Sequence, residues 1–224
     1  MMAYGVVVFD YDGTLFDTRP AIVHCLRRAF AALQRPMPAA EDVSGTVKTG
    51  LSLQDSLTML DPSLLRDPIA LSELVGAYRT LYLDEAGPLL TPFSGAADAL
   101  RRLNASGVKC AIVSNKGAAA IRRSLDESRL AHFVDLILAD EPELPRKPDP
   151  ALVTHHILPK FAQIQRQQIL MVGDTEVDIA FAKASGISCC WASYGYGDMA
   201  RCRALAPKHE IASIEELPPL VQPR

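Results

Sequence analysis

A chain of 224 residues is long enough for one large domain, or a domain with a smaller satellite, around a substantial buried core. Apolar residues make up 49% and charged residues 22%, and no stretch approaches the ~20 apolar residues of a membrane span, so neither disorder nor membrane residence is expected. The net charge of −3, from 23 basic and 26 acidic residues without any Lys/Arg block, argues against a dedicated nucleic-acid surface.

Val6-Val7-Val8-Phe9 is a continuous apolar run of strand length, the pattern of a strand buried on both faces. No basic residue precedes it and it stops at Asp10, so it does not read as a signal peptide. A cytoplasmic protein is expected, with Cys25, Cys110, Cys189, Cys190 and Cys202 as reduced thiols. Over 19–34, Ile22, Leu26, Ala29, Phe30 and Leu33 recur at helical spacing; Pro20 suits the first turn, and Pro36 and Pro38 end the segment. Further helices are predicted over 52–60 and 69–83, the latter with Leu71, Leu74, Val75 and Tyr78 on its apolar face. No strand signal appears between Phe16 and about Leu89, so 17–90 reads as an all-helical insertion.

From Pro92 strands and helices alternate. The pattern predicts helices over 94–104, 116–125, 151–161 and 175–185, with strands over 109–113, 134–138, 169–172 and 188–191, the last clear strand. A Pro-rich loop covers 142–150, and the last dozen residues read as a frayed end, tacked at most by Ile211 and Ile214. Such alternation argues an α/β fold, a doubly wound parallel sheet formed by 1–16 and 91–224 and interrupted by the helical insertion.

The ends of the predicted strands carry the chemistry. Residues i and i+2 of an extended chain point the same way. Asp10 and Asp12 should therefore both face the crevice beyond the first strand, where open parallel sheets bind ligands. Two like charges so close call for a cation, although Asp12-Gly13 also suits a plain turn. The second strand ends at Ser114-Asn115-Lys116, with a hydroxyl and helix-opening amides fit for an anion; Ser114 equally suits a helix cap. Gly173-Asp174 ends a later strand, and Thr175-x-x-Asp178 beyond it has capping-box spacing. Lys147, biased to extended backbone by Pro148, either reaches over the crevice or is an exposed loop lysine. Together, in this order along a parallel sheet, these residues describe a metal and phosphate site.

Asp10-x-Asp12-Gly13-Thr14, Ser114, Lys147 and Gly173-Asp174-x-x-x-Asp178 resemble, in type, order and spacing, the motifs of the haloacid dehalogenase-like (HAD) phosphohydrolase superfamily. The insertion resembles the small helical cap of many members, and Tyr194-Gly195-Tyr196-Gly197 is similar to a loop of the phosphoglycolate phosphatase-like branch. The resemblance implies a Rossmann-like HAD core and a Mg²⁺-dependent phosphatase for a small phosphorylated metabolite, phosphoglycolate-like, with no nucleic-acid or membrane partner. It makes Asp10 the nucleophile and Asp12 the general acid and base. It also implies Mg²⁺ on the Asp10 carboxylate, the Asp12 main-chain carbonyl and Asp174, with Asp178 acting through water or a neighbouring contact. Ser114 and Lys147 would hold phosphoryl oxygens, with main-chain amides near Tyr11 and Asn115. The dehalogenase and phosphonatase branches lack the Asp12 carboxylate, so neither chemistry is expected. Within the insertion, the stretch from Gly45 to Gly50 is expected to face the crevice and read the substrate's far end through Lys48 and Thr49. A sugar phosphomutase with the same motifs and a catalytically silent phosphate-binding protein are the alternatives, and the oligomeric state is left open.

Overall fold

A computed structural model describes residues 4–221. In chain order the elements are β1 (Val6–Phe9), β2 (Phe16–Asp17), α1 (Arg19–Ala32), α2 (Ala40–Val47), α3 (Leu53–Leu60), α4 (Pro68–Glu85), β3 (Thr91–Pro92), α5 (Ala96–Ala105), β4 (Lys109–Gly117) and α6 (Ala118–Glu127). They continue through β5 (Leu136–Asp140), a π-turn (Leu152–Ile157) running into α7 (Leu158–Lys160), β6 (Ile169–Gly173), α8 (Glu176–Ser185), β7 (Ser188–Ala192), α9 (Met199–Ala204), β8 (His209–Ile211) and α10 (Leu217–Val221). Six strands form one parallel sheet in the order β5-β4-β1-β6-β7-β8.

The apolar run of β1 sits at the centre of that sheet because both of its faces are covered. Val7 and Phe9 join Cys110, Ile112, Leu170 and Val172 under α5 and α6, whose Leu100, Leu103, Ile121 and Leu125 complete one core. Val6 and Val8 point the other way, into Ala111, Val113, Ile169 and Met171 beneath Ile179 and Phe181 of α8 and the π-turn. The two-residue side-chain period thus divides one sequence run between two cores. Register then fixes the site. Phe9 pairs with both Ile112 and Val172, so the residues after β1 emerge level with Ser114 and Asp174. Chain order runs outward from β1 to β5 on one side and from β6 to β8 on the other, making this the topological switch point.

Helices α1 to α4 bury their own apolar cluster, in which Leu26 and Phe30 of α1 meet Leu57 of α3 and Leu74, Tyr78 and Tyr82 of α4. Asp67 caps α4, its carboxylate accepting from the Ala70 amide at 3.0 Å, ahead of Pro68 in the first turn. No helix among the described residues is long and apolar enough to cross a membrane. All five cysteines are buried free thiols.

Several local expectations are corrected. Phe16–Asp17 is a strand, paired antiparallel with Thr91–Pro92, so the chain leaves and rejoins the core through a ribbon whose strands are too short to show alternation. Helix α2 was not anticipated and takes up the first half of the expected loop after Gly45. Strand β4 runs to Gly117, so Lys116 belongs to its end and α6 begins only at Ala118. Beyond the expected last strand lie α9, β8 and α10, and Ile211, Ile214, Leu217 and Val221 are buried in the core rather than frayed. The final residues, 222–224, lie outside the described chain.

Candidate active site

Asp10 follows β1 directly, its amide held by the Val172 carbonyl at 2.8 Å, which turns its carboxylate into a buried position at the sheet's carboxyl edge. Asp174, also buried, accepts from the Thr14 hydroxyl at 3.0 Å and from the Tyr196 amide at 2.7 Å. Asp178 has the capping role its spacing predicts and also contacts Lys147. One oxygen caps α8, accepting from the amide and hydroxyl of Thr175 at 3.0 and 2.8 Å, and the other meets Lys147 Nζ at 2.6 Å. The same ammonium lies 2.8 Å from Asp10 Oδ1. Each of the three acids thereby offers an oxygen within 4.8 Å of the others.

The electrostatics are unbalanced. Three buried carboxylates face one buried ammonium, which leaves two negative charges uncompensated when all are ionised. Burial, reinforced by the charges of Asp178 and Asp12 and opposed by Lys147, pushes the Asp10 carboxyl up to about 6. Burial and the nearness of Asp178 and Asp10 push Asp174 well above the usual carboxylate range. Burial alone would strip the proton from Lys147, but the charges of Asp10 and Asp178 outweigh it and hold the ammonium above an ordinary lysine. Asp10 Oδ1 accepts no well-directed hydrogen bond despite lying next to Lys147. Hard carboxylate oxygens, excess negative charge and an oxygen without a directed partner are what a divalent cation such as Mg²⁺ requires, and the donor set fits one.

Ser114 is buried at the end of β4, and its Oγ accepts from the Lys116 amide at 3.4 Å. Asn115 works through its side chain. Its Oδ1 accepts from the Lys147 amide at 3.0 Å, and its Nδ2 donates to the carbonyls of Gly50 and Lys147 at 3.0 and 3.3 Å. A buried amide thus fixes the loop carrying Lys147 and ties it to the helical insertion. The Tyr11 ring lies in the core, stacked on Phe16 at 4.8 Å with its hydroxyl bonded to Ser124, so only its main chain is left for an anion.

A family model for haloacid dehalogenase-like hydrolases matches residues 7–192. The chain belongs to this family. It is 30% identical over 217 residues to a plasmid-encoded phosphoglycolate phosphatase of Cupriavidus necator, covering 97% of this chain and 93% of that one. A phosphoglycolate phosphatase of Pseudomonas savastanoi pv. phaseolicola is 31% identical over 219 residues, covering 96% and 78% respectively. Among solved structures, a haloacid dehalogenase-like family hydrolase of Streptococcus pneumoniae superimposes with a TM-score of 0.83 at 27% identity, covering 99% of this chain and 100% of its own.

Three contacts of this HAD-like site were not assigned from the sequence. Lys116, expected only to open a helix, has a side chain 8% exposed, with Nζ 3.0 Å from Asp12 Oδ1 and 4.0 Å above the Tyr82 ring of α4. Burial acts against its charge, but Asp12 and then Tyr78 and Tyr11 raise it above an ordinary lysine. Thr14 proves to be a partner of Asp174. The Tyr194–Gly197 loop, noted as a family likeness, wraps Asp174: the Tyr196 amide holds its carboxylate, and the Tyr196 hydroxyl donates to Asp17 at 2.7 Å where the insertion begins. The paired Gly-Tyr spacing was the available signal. Gly195 has no room for a side chain, since a Cβ there would overlap both Asp174 and the Gly13 carbonyl. Gly195→Ala is expected to cost about 1–3 kcal/mol by overpacking, read by urea unfolding, and to displace Asp174. A variant as stable as the parent would show the loop yields freely. Gly13 has φ +79° and lies against Asp174, so the Asp12-Gly13 pair is both a turn and part of the site.

Between the core and helices α1 to α4 lies a cavity of about 390 Å³, lined by Asp10, Asp12 and Ser114 at one end. Thr46, Val47, Gly50 and Leu51 line it, but Lys48 and Thr49 do not. Lys48 stands exposed at the C-cap of α2, and the Thr49 hydroxyl turns back to the Thr46 carbonyl at 2.6 Å. The cavity wall expected at these two positions is made instead by their neighbours. At about 100° per residue, a helix carrying Thr46 and Val47 on one face turns the next position away.

Proposed function

We propose that this chain is a Mg²⁺-dependent phosphomonoesterase that hydrolyses a small phosphorylated metabolite through an aspartyl-phosphate on Asp10. The observation that carries the reading is the meeting of Asp10, Asp174 and Asp178 with the Lys147 ammonium at the sheet's switch point. The HAD family and relatives named phosphoglycolate phosphatase support it. In this reading Asp10 and Asp174 hold the ion with the Asp12 main-chain carbonyl, while Asp178 caps α8 and anchors Lys147. When bound, Mg²⁺ offsets the charge that would keep an anionic nucleophile from an anionic phosphate.

The chain's own groups then divide the work. An Asp10 oxygen forms the bond to phosphorus as the bond to the leaving alcohol breaks, and the Asp12 carboxyl supplies the proton that the alcohol carries away. In the second half Asp12 takes a proton from water, whose oxygen attacks phosphorus, and phosphate departs with Asp10 restored. Lys147 and the Ser114 hydroxyl face the phosphoryl oxygens with the Tyr11 and Asn115 main chain, a fixed electrostatic setting that needs no rearrangement. Lys116 keeps Asp12 oriented toward the cavity. The insertion over 17–90 acts as a cap that shields the covalent intermediate and selects the alcohol.

A panel of phosphomonoesters, phosphoglycolate among them, assayed for phosphate release with Mg²⁺ and with EDTA, tests the reading. Release that persists undiminished in EDTA would refute it. Stability offers an independent readout. Asp10 titrates at about 6 when folded, above an unfolded carboxylate, so the metal-free protein loses stability as pH rises from about 4 through 6. A cation competes with those protons. Mg²⁺ should therefore raise Tm clearly at pH 7.5 and hardly at pH 4.5, and equal shifts at both would place its binding elsewhere.

A further inference from the structure

We infer that the alcohol part of the substrate is apolar and uncharged, an aryl or branched-alkyl group, rather than a short carboxylate; this rests on the phosphomonoesterase reading above. The walls beyond the acids are made by Ile22, Leu26, Val47, Leu51, Tyr78 and Tyr82, which present hydrocarbon and ring faces to the cavity. Its volume of about 390 Å³ belongs to the class of sites that hold molecules much larger than a two-carbon acid phosphate. Water enclosed against such walls is released when an apolar group enters, which favours burial of each added methylene.

Charge points the same way. A substrate carboxylate needs a cation free to receive it, and each cation lining the cavity already faces an acid. Arg79 meets Asp140 at 2.7 Å, Lys116 meets Asp12 at 3.0 Å, and Arg122 meets Glu141 at 3.2 Å. The Asp140 side chain, 6% exposed, is shared between Arg79 and Arg146, the latter at 2.6 Å, so Arg79 is held at the cavity wall by a charge partner. Apart from Asp10, which pairs with Lys147 and would hold the ion, three carboxylates (Asp12, Asp140 and Glu141) line the cavity against three cations (Arg79, Lys116 and Arg122). A second anionic group would thus find each lining cation already paired with an acid, and specificity against it arises from missing contacts together with repulsion by those facing acids.

Two phosphonates, which bind without turnover, separate the possibilities. Calorimetric titration of the Mg²⁺-loaded protein with phenylpropylphosphonate and with phosphonopropionate should give about ten-fold or tighter binding of the first. Equal affinities, or a preference for phosphonopropionate, would overturn the inference. Leu51 is 39% exposed at the cavity, so Leu51→Lys places an unpaired cation on the wall with little risk to folding. It should narrow or reverse the ratio, and an unchanged ratio would also overturn the inference. Hydrolysis of the matching esters tests the parent reading separately. The binding preference without phosphate release from either ester would sink the hydrolase assignment and leave the apolar site standing. Faster release from phosphoglycolate than from phenylpropyl phosphate would do the reverse.

Discussion

Asp10→Asn is expected to lower kcat for phosphate release by about 10⁴-fold or more while leaving the protein folded. The amide is nearly the same size, but it cannot form the bond to phosphorus that the reaction requires. The substitution also removes a buried charge that Asp178 and Asp12 repel and that burial already disfavours. Lys147 keeps Asp178 as its partner at 2.6 Å, so no ammonium is stranded. Thermal stability without metal should therefore match or exceed that of the parent. Mg²⁺ should bind more weakly, because one anionic oxygen has become neutral. The pairing of intact stability with lost turnover is the diagnostic result. If kcat stays within ten-fold of the parent, Asp10 is not the nucleophile.

Lys147→Met is expected to have the largest effect on stability, about 3–5 kcal/mol at neutral pH without metal. The side chain is almost fully buried and lies 2.8 Å from Asp10 and 2.6 Å from Asp178. Its loss leaves buried acids with no cation, and the methionine stem fills the volume without replacing the charge. The pH dependence identifies the cause. Asp10 already titrates above the ordinary range, and without the ammonium that opposes this it is driven further up. The folded variant then holds protons that the unfolded chain has released above about pH 4. Its stability deficit should be small near pH 4 and grow as pH rises through 6 and beyond, with saturating Mg²⁺ restoring part of it. Denaturant unfolding between pH 4.5 and 8 measures this directly. A deficit that does not vary with pH would assign the effect to packing rather than charge.

Some of the site was written in local sequence. An apolar run ending in Asp10-Tyr11-Asp12-Gly13 dictates a buried strand with carboxylates at its exit, because side-chain alternation and β-branching act within a few residues. The helical periods of α1 and α4 were readable for the same reason, as were Thr175-x-x-Asp178 and its cap. Short elements were not: the two-residue strands β2 and β3, and the three-residue β8, exist only because a partner strand supplies their hydrogen bonds. Trp191, read as a core residue, is buried, and its ring nitrogen also donates to the Asp174 carbonyl at 2.9 Å, a contact no local pattern encodes.

The chain by itself therefore determined the order of its strands' chemistry: which acids, hydroxyl and lysine stand at which strand ends. The tertiary structure decided which of them touch. It set Lys116 on Asp12, folded the Tyr194–Gly197 loop around Asp174, joined Asn115 to Gly50, and turned Lys48 away from a cavity walled by its neighbours. Strand register and side-chain period are short-range properties, legible from spacing alone. The rotational phase of a helix such as α2, and contacts between residues far apart in sequence, depend on how separately formed surfaces fit together.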